Sequence, residues 1–151
     1  MAGQTEIELA FADGDYLFAL KLPQVMELQR LCGAGIFAIY SRVMKGRAFI
    51  ENQSFGLPHE AEAFQDDVYE TIRLGLIGGG KGIVNDQEVE VSALRARQLL
   101  ETYAHPVPLK DMWHLAAAIL YAKVEGYEPQ KKSPDEPAPK AKRRKASTKQ
   151  K

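Results

Sequence analysis

The 151-residue sequence predicts an α+β fold: an N-terminal β-hairpin packed on a bundle of about five short helices, with a disordered basic C-terminal tail. Three observations carry that reading. Residues 6–22 alternate around Asp13-Gly14, the pattern of a hairpin with a two-residue turn. Between residues 23 and 125, apolar positions recur three and four apart in five segments, the spacing of one helix face. From Glu128 onward every residue is Pro, Lys, Arg, Glu, Asp, Gln, Ser, Thr or Ala. Such a composition cannot bury enough apolar surface to offset the entropy of ordering. A domain at 1–127 and a tail at 128–151 follow.

Asp13-Gly14 tolerates the positive φ angles of a type I′ turn, and pairing across it sets Phe11 opposite Tyr16, Leu9 opposite Phe18 and Ile7 opposite Leu20. Glu6 and Glu8 then fall on the other face, opposite Lys21 and Ala19. A lone hairpin is marginal in water, so helices must cover its apolar face. Pro23 suits the first turn of a helix whose stripe is Val25, Leu28 and Leu31/Cys32, ended at Gly33-Ala34-Gly35. A second helix carries Ile36, Ile39/Tyr40 and Val43 on one face, with Gly46 as its left-handed cap. Residues 47–58 show no sustained period and read as a loop with a brief extended piece at Ala48-Phe49-Ile50.

A third helix is predicted from Glu60 or Ala61 to about Leu76, with Phe64, Val68, Ile72 and Leu76 as its buried edge and Asp66, Asp67 and Glu70 in solvent. Gly78-Gly79-Gly80 ends it. Residues 83–91, with Asn85-Asp86 between short apolar groups, read as either a small second hairpin or a linker. Ser92 is a good N-cap for a fourth helix, stopped by His105-Pro106-Val107-Pro108. The fifth runs from about Leu109 to Glu125, capped by Gly126, and its Ala116-Ala117-Ala118 run permits close approach of a neighbour.

A formal net charge of zero conceals a division. Residues 1–127 carry 11 Lys+Arg against 17 Asp+Glu, a net charge of −6, and residues 128–151 carry 9 against 3, a net charge of +6. A tail of this kind touches an acidic partner, be it nucleic acid, another protein or the chain's own body. The run Lys142, Arg143, Arg144, Lys145 has the form of a nuclear-import or nucleic-acid patch. It has no aromatic to stack on bases, so any such contact is non-specific and salt-dependent. The single cysteine, Cys32, excludes an internal disulfide and reads as a small buried hydrophobe. With no signal segment and no bilayer-length apolar run, a soluble, unsecreted protein is expected.

Gly75 to Gly82 comes nearest to a catalytic motif, since Gly75, Gly80 and Lys81 follow G-x-x-x-x-G-K. Gly82 stands where a Mg²⁺-binding hydroxyl belongs, and a helix rather than a buried strand precedes the run. It reads as helix punctuation, with a positive φ in at least one of Gly78, Gly79 and Gly80, and with Lys81 in solvent. His59, His105 and His114 are widely spaced and Cys32 is alone, so the spacings of a zinc site are absent. No nucleophile lies in an elbow sequence. The expectation is a non-enzyme without cofactor or metal. An apolar hairpin face and the Trp113/Tyr121/Tyr127 region hint at a binding protein.

Across roughly residues 6–127 the chain resembles the gene transfer agent family of small tail proteins, the tail assembly chaperones of siphophage-like prophages and gene transfer agents. The resemblance rests on the strand Tyr16-Leu17-Phe18-Ala19-Leu20, on Leu31-Cys32-Gly33-Ala34-Gly35-Ile36 after Leu28, and on the run from Asp67-Val68-Tyr69-Glu70 to Gly78-Gly79-Gly80. Pro108-Leu109, Ala116-Ala117-Ala118-Ile119-Leu120 and Glu125-Gly126-Tyr127 complete it. It implies a morphogenesis factor that binds the tape-measure protein, shields its apolar helices and assists tail-tube polymerisation, in the host cytoplasm. The working surface would be an apolar groove. Phe37, Tyr40 and Trp113 are its candidate anchors, being aromatics in a small helical domain. The family offers no catalytic residues to transfer, the basic tail departs from it, and homo-oligomerisation is left open. The alternatives are a tube or connector subunit present in the particle, a non-specific nucleic-acid binder acting through the tail, and a nucleotide-binding enzyme using Lys81.

Overall fold

A computed structural model describes residues 3–50 and 53–126. The predicted tail at 128–151 and Tyr127 lie outside the described residues. The architecture is α+β, with six strands and five α-helices among the described residues. Strands β1 (Glu6–Phe11) and β2 (Gly14–Ala19) form the N-terminal hairpin and lead into α1 (Leu22–Cys32) and α2 (Ile36–Met44). A second hairpin, β3 (Arg47–Ile50) and β4 (Gln53–Gly56), precedes a 3₁₀ turn at Pro58–Glu60 and α3 (Gln65–Gly79). Strands β5 (Lys81–Val84) and β6 (Gln87–Glu90) follow, then α4 (Ala93–Leu99), a π-helical turn at Leu100–Ala104 and α5 (Leu109–Glu125).

The hairpin register differs from the expected one by two residues: Phe11 faces Gly14, Leu9 faces Tyr16, Ile7 faces Phe18, and Glu6 and Glu8 face Ala19 and Leu17. The turn is Ala12-Asp13, with Ala12 at φ 57°. Gly14 belongs to the strand, paired with Phe11, and a Cβ there would lie 2.3 Å from the Ile83 carbonyl oxygen of β5. Its glycine serves close strand packing, not the turn. A slip of two leaves every side chain on its expected face, since strand side chains have period two. Ile7, Phe11, Tyr16, Phe18 and Leu20 are therefore buried as predicted. The Phe11 ring meets those of Tyr16 and Phe18 edge-on at 6.2 and 6.1 Å.

Residues 83–91 resolve as a hairpin, with Asn85 and Asp86 at φ 53° and 66° as a primed turn requires. It joins the first hairpin in one antiparallel sheet of order β1-β2-β5-β6. The inner face packs on α3 and α5, and the outer face bears Glu6, Glu8, Leu17, Lys81, Ile83 and Glu88. The 47–58 loop is corrected to the β3–β4 hairpin. Its four-residue strands are too short to show a period.

α3 begins at Gln65, later than expected, and Phe64 is its extended N-cap. The Asp67 carboxylate accepts from the Phe64 N–H at 2.9 Å, which is half of a capping box. Phe64 is 57 % exposed and so leaves the predicted buried edge, whereas Val68, Ile72 and Leu76 remain in the core. At the other end the helix runs through Gly78 and Gly79, and only Gly80 is left-handed, at φ 72°. A Cβ on Gly78 or Gly79 would lie 1.8 Å from the carbonyl oxygen of Ala19 or Leu17. The glycines bring the helix backbone directly onto β2. α5 has the predicted ends, and the Ser92 Oγ caps α4 by accepting from the Arg95 N–H at 3.1 Å. Cys32, free and buried, lies in the core as read.

Candidate functional site

Between the 3₁₀ turn, the N-terminal half of α3 and the start of α5 lies an apolar groove of about 210 Å³. Pro58, Ala61, Ala63, Phe64, Val68, Leu109 and Trp113 line it, with Gln65 and Lys110 as its polar members. A smaller recess of about 40 Å³ shares Gln65, Val68 and Leu109 and continues toward Tyr69, His105 and Met112. The rim is exposed: Phe64 and Leu109 are 57 % and 66 % accessible, and Leu57, next in the chain to Pro58, is 41 % accessible.

One side of the rim, at Phe64, is tied down by an ion pair. Asp67, fully buried, accepts from the Arg42 guanidinium through both oxygens at 2.6 and 2.9 Å. That guanidinium also lies 4.5 Å from the Phe64 ring centroid and donates to the Cys32 carbonyl at 3.3 Å. The carboxylate of Asp67 therefore joins α2, α3 and the Phe64 rim, which corrects its reading as a solvated first-turn residue. Glu70 pairs with Arg73 at 2.7 Å on the same helix. Burial, reinforced by the nearby Asp67 charge, pushes the Cys32 thiol up to about 12.

The three predicted anchors do not form one surface. Trp113 is buried, and its indole N–H donates to the Val43 carbonyl at 2.7 Å while Arg47 stacks 4.7 Å over the ring. It forms the groove floor rather than a projecting anchor. Tyr40 is half-buried and does not line the groove, donating at 2.9 Å to Glu125 at the C-terminal end of α5. Burial first, then that hydrogen bond, raises its pKa. Phe37, 72 % exposed, projects into solvent and does not line the groove. Phe64 and Leu109 are the exposed rim residues of the groove that sequence reasoning missed. Their only signal is position, since each stands immediately before or at a helix start, where a side chain escapes the buried stripe.

Lys81 is exposed and opens a strand after a helix, the reverse of the strand-then-helix order of a phosphate loop. His59 is exposed and His105 lies against the Tyr69 ring at 5.7 Å. His114 accepts from Arg47, and burial, then the Arg47 charge, lowers its pKa. Among the described residues no three His, Cys, Asp or Glu side chains are grouped to hold a metal, and no helix is long and apolar enough to cross a membrane. Lys142, Arg143, Arg144 and Lys145 lie outside the described residues.

Residues 4–53, which span β1 through the start of the second hairpin, match the family described as phage tail tube protein, GTA-gp10. The match supports a tail-related protein of phages or gene transfer agents, and that family is described as a tail component rather than an enzyme class. No curated protein and no solved structure matches the chain significantly.

Proposed function

We propose that this chain is a non-enzymatic tail-morphogenesis factor, a tail assembly chaperone that receives apolar helices of the tape-measure protein in the groove between α3 and α5. The carrying observation is that groove, with an apolar floor and two large apolar rim residues held in water. At about 210 Å³ it is smaller than the roughly 300–1,000 Å³ of small-molecule sites. One or two side chains of an amphipathic helix fit it better than a metabolite does. The half-exposed rim keeps affinity modest, as suits a factor that must release its client to the polymerising tube.

Co-expression with the tape-measure protein tests this reading. The client should be soluble only with the chain present, and Leu109→Glu combined with Phe64→Ser should abolish the effect while leaving the circular dichroism of the domain intact. Equal solubility without the chain, or full activity of the double variant, would refute it. A second reading, a tube or connector subunit, is favoured by the description of the matched family and by the outer edges of β1 and β6, which pair with no strand among the described residues, since head-to-tail pairing of one such edge with the other on the next copy closes a ring. Mass spectrometry of purified particles separates the two: a chaperone is scarce there and a tube subunit is stoichiometric. A chaperone works in the host cytoplasm, and a tube subunit resides in the virion.

A further inference from the structure

The outer face of the four-stranded sheet has no covering element among the described residues. Cross-strand register places Glu8, Leu17 and Glu6 beside Lys81, Ile83 and Glu88 around a recess of about 340 Å³. Asp15 pairs with Ile83 and Glu90 with Lys81, so both carboxylates share this face. Five acids against Lys81 give it a net charge of −4. Its centre is apolar, with Ile83 43 % exposed and Leu17 half-buried.

The chain leaves the described domain near the start of β1, the edge strand that carries Glu6 and Glu8. Gly126, which ends α5, lies against Gly3, three residues before Glu6: a Cβ on Gly126 would be 3.5 Å from the Gly3 Cα. Residues 127–151 carry the excess positive charge of the molecule. Extended, they reach up to about 80 Å, whereas four strands at about 4.8 Å spacing are only about 15 Å across. Tethering at the edge of the face also keeps the tail at an effective concentration on the order of millimolar.

We propose that the outer face of the β1-β2-β5-β6 sheet is the docking surface for the chain's own basic tail, residues 127–151, with the tail lysines and arginines on Glu6, Glu8 and Glu88. The proposal is independent of the groove and of the tape-measure reading. Carboxyl-to-amine zero-length crosslinking of the full chain, followed by peptide mass spectrometry, tests it. Monomeric product should carry links from Lys140, Lys142 or Lys145 to Glu6, Glu8 or Glu88. Those links should disappear at about 0.5 M NaCl, where screening is short-ranged. In the full-length charge reversal Glu8→Lys/Glu88→Lys, checked for folding by circular dichroism, tail links to the remaining Glu6 should be lost as well. Links spread evenly over surface carboxylates, links found only in dimeric product, or links that persist in the charge reversal would overturn the proposal. A short DNA duplex should compete the links away, and links insensitive to an excess of that polyanion would likewise contradict tail docking by charge.

Discussion

At the scale of single residues, Asp67 is the most consequential side chain outside the apolar core. Its full burial is tolerated because Arg42 supplies a bidentate partner and the Phe64 N–H a third donor. Removing one partner of such a pair leaves a charge with no compensation, so Asp67→Ala is expected to cost about 3 kcal/mol, readable as a lower urea midpoint. A double-mutant cycle with Arg42→Ala should recover part of that loss as coupling energy. Cys32 and Tyr16 make a second prediction. Burial raises both groups to about 12, with the Asp13 hydrogen bond as the next cause for Tyr16 and the Asp67 charge for Cys32. The folded state therefore retains protons that the unfolded chain releases from about pH 8.5 for the thiol and about pH 10 for the phenol. With more protons bound in the folded state, stability must fall as pH rises through this range toward 12. The denaturation midpoint should be lower at about pH 10.5 than at about pH 8, and the Cys32 thiol should react with disulfide reagents at least about 100-fold more slowly folded than unfolded.

At the scale of elements, the junction of α3 and β2 sets local propensity against packing. Alanine is the better helix former by about 1 kcal/mol, so Gly78→Ala and Gly79→Ala would be stabilising in an isolated helix. Here each added methyl meets a β2 carbonyl, and the sign reverses. Both substitutions should destabilise by about 2 kcal/mol or more, by displacement of helix from sheet. Gly80→Ala faces no such obstacle, its nearest neighbour being 3.7 Å away, and should cost only the left-handed conformation, about 1 kcal/mol. Thermal melts of the three variants check the ranking. Helix α4 offers a simpler case: Ser92→Ala removes the side-chain acceptor for the Arg95 N–H and should cost about 1 kcal/mol.

At the scale of the whole molecule, one core joins the sheet to the helices, with Phe18, Leu28, Ile72, Leu76, Leu99, Ile119 and Leu120 all fully or nearly fully buried. The β3–β4 hairpin stands apart as a two-stranded sheet, tied to the rest through Trp113 and the chain at Gly46. Hydrogen exchange should therefore be slowest in β2 and α3 and faster in β3–β4, because amides open at the free energy of their cooperative unit. Equal protection of the two sheets would show a single unit. This layout also puts the two proposed surfaces on different parts of the fold, the apolar groove at the starts of α3 and α5 and the acidic face on the far side of the sheet from the helices.

What the sequence determined by itself was the set of faces and most helix ends. Apolar period two or three to four is a local property, and it survives even a register error, as Ile7, Phe11 and Phe18 show. Caps are local too, so Ser92, Gly33 and the ends of α5 were legible. Tertiary structure alone decided how distant segments meet. Gly14 and Gly78-Gly79 read as turn and stop signals, but they are glycine because β5 and β2 approach their backbones. Asp67 read as a solvated carboxylate until Arg42, twenty-five residues earlier, was brought against it. The groove was invisible for the same reason. An apolar rim residue such as Phe64 or Leu109 looks like core in any one-dimensional pattern, and only the packing of three separate elements leaves it facing water.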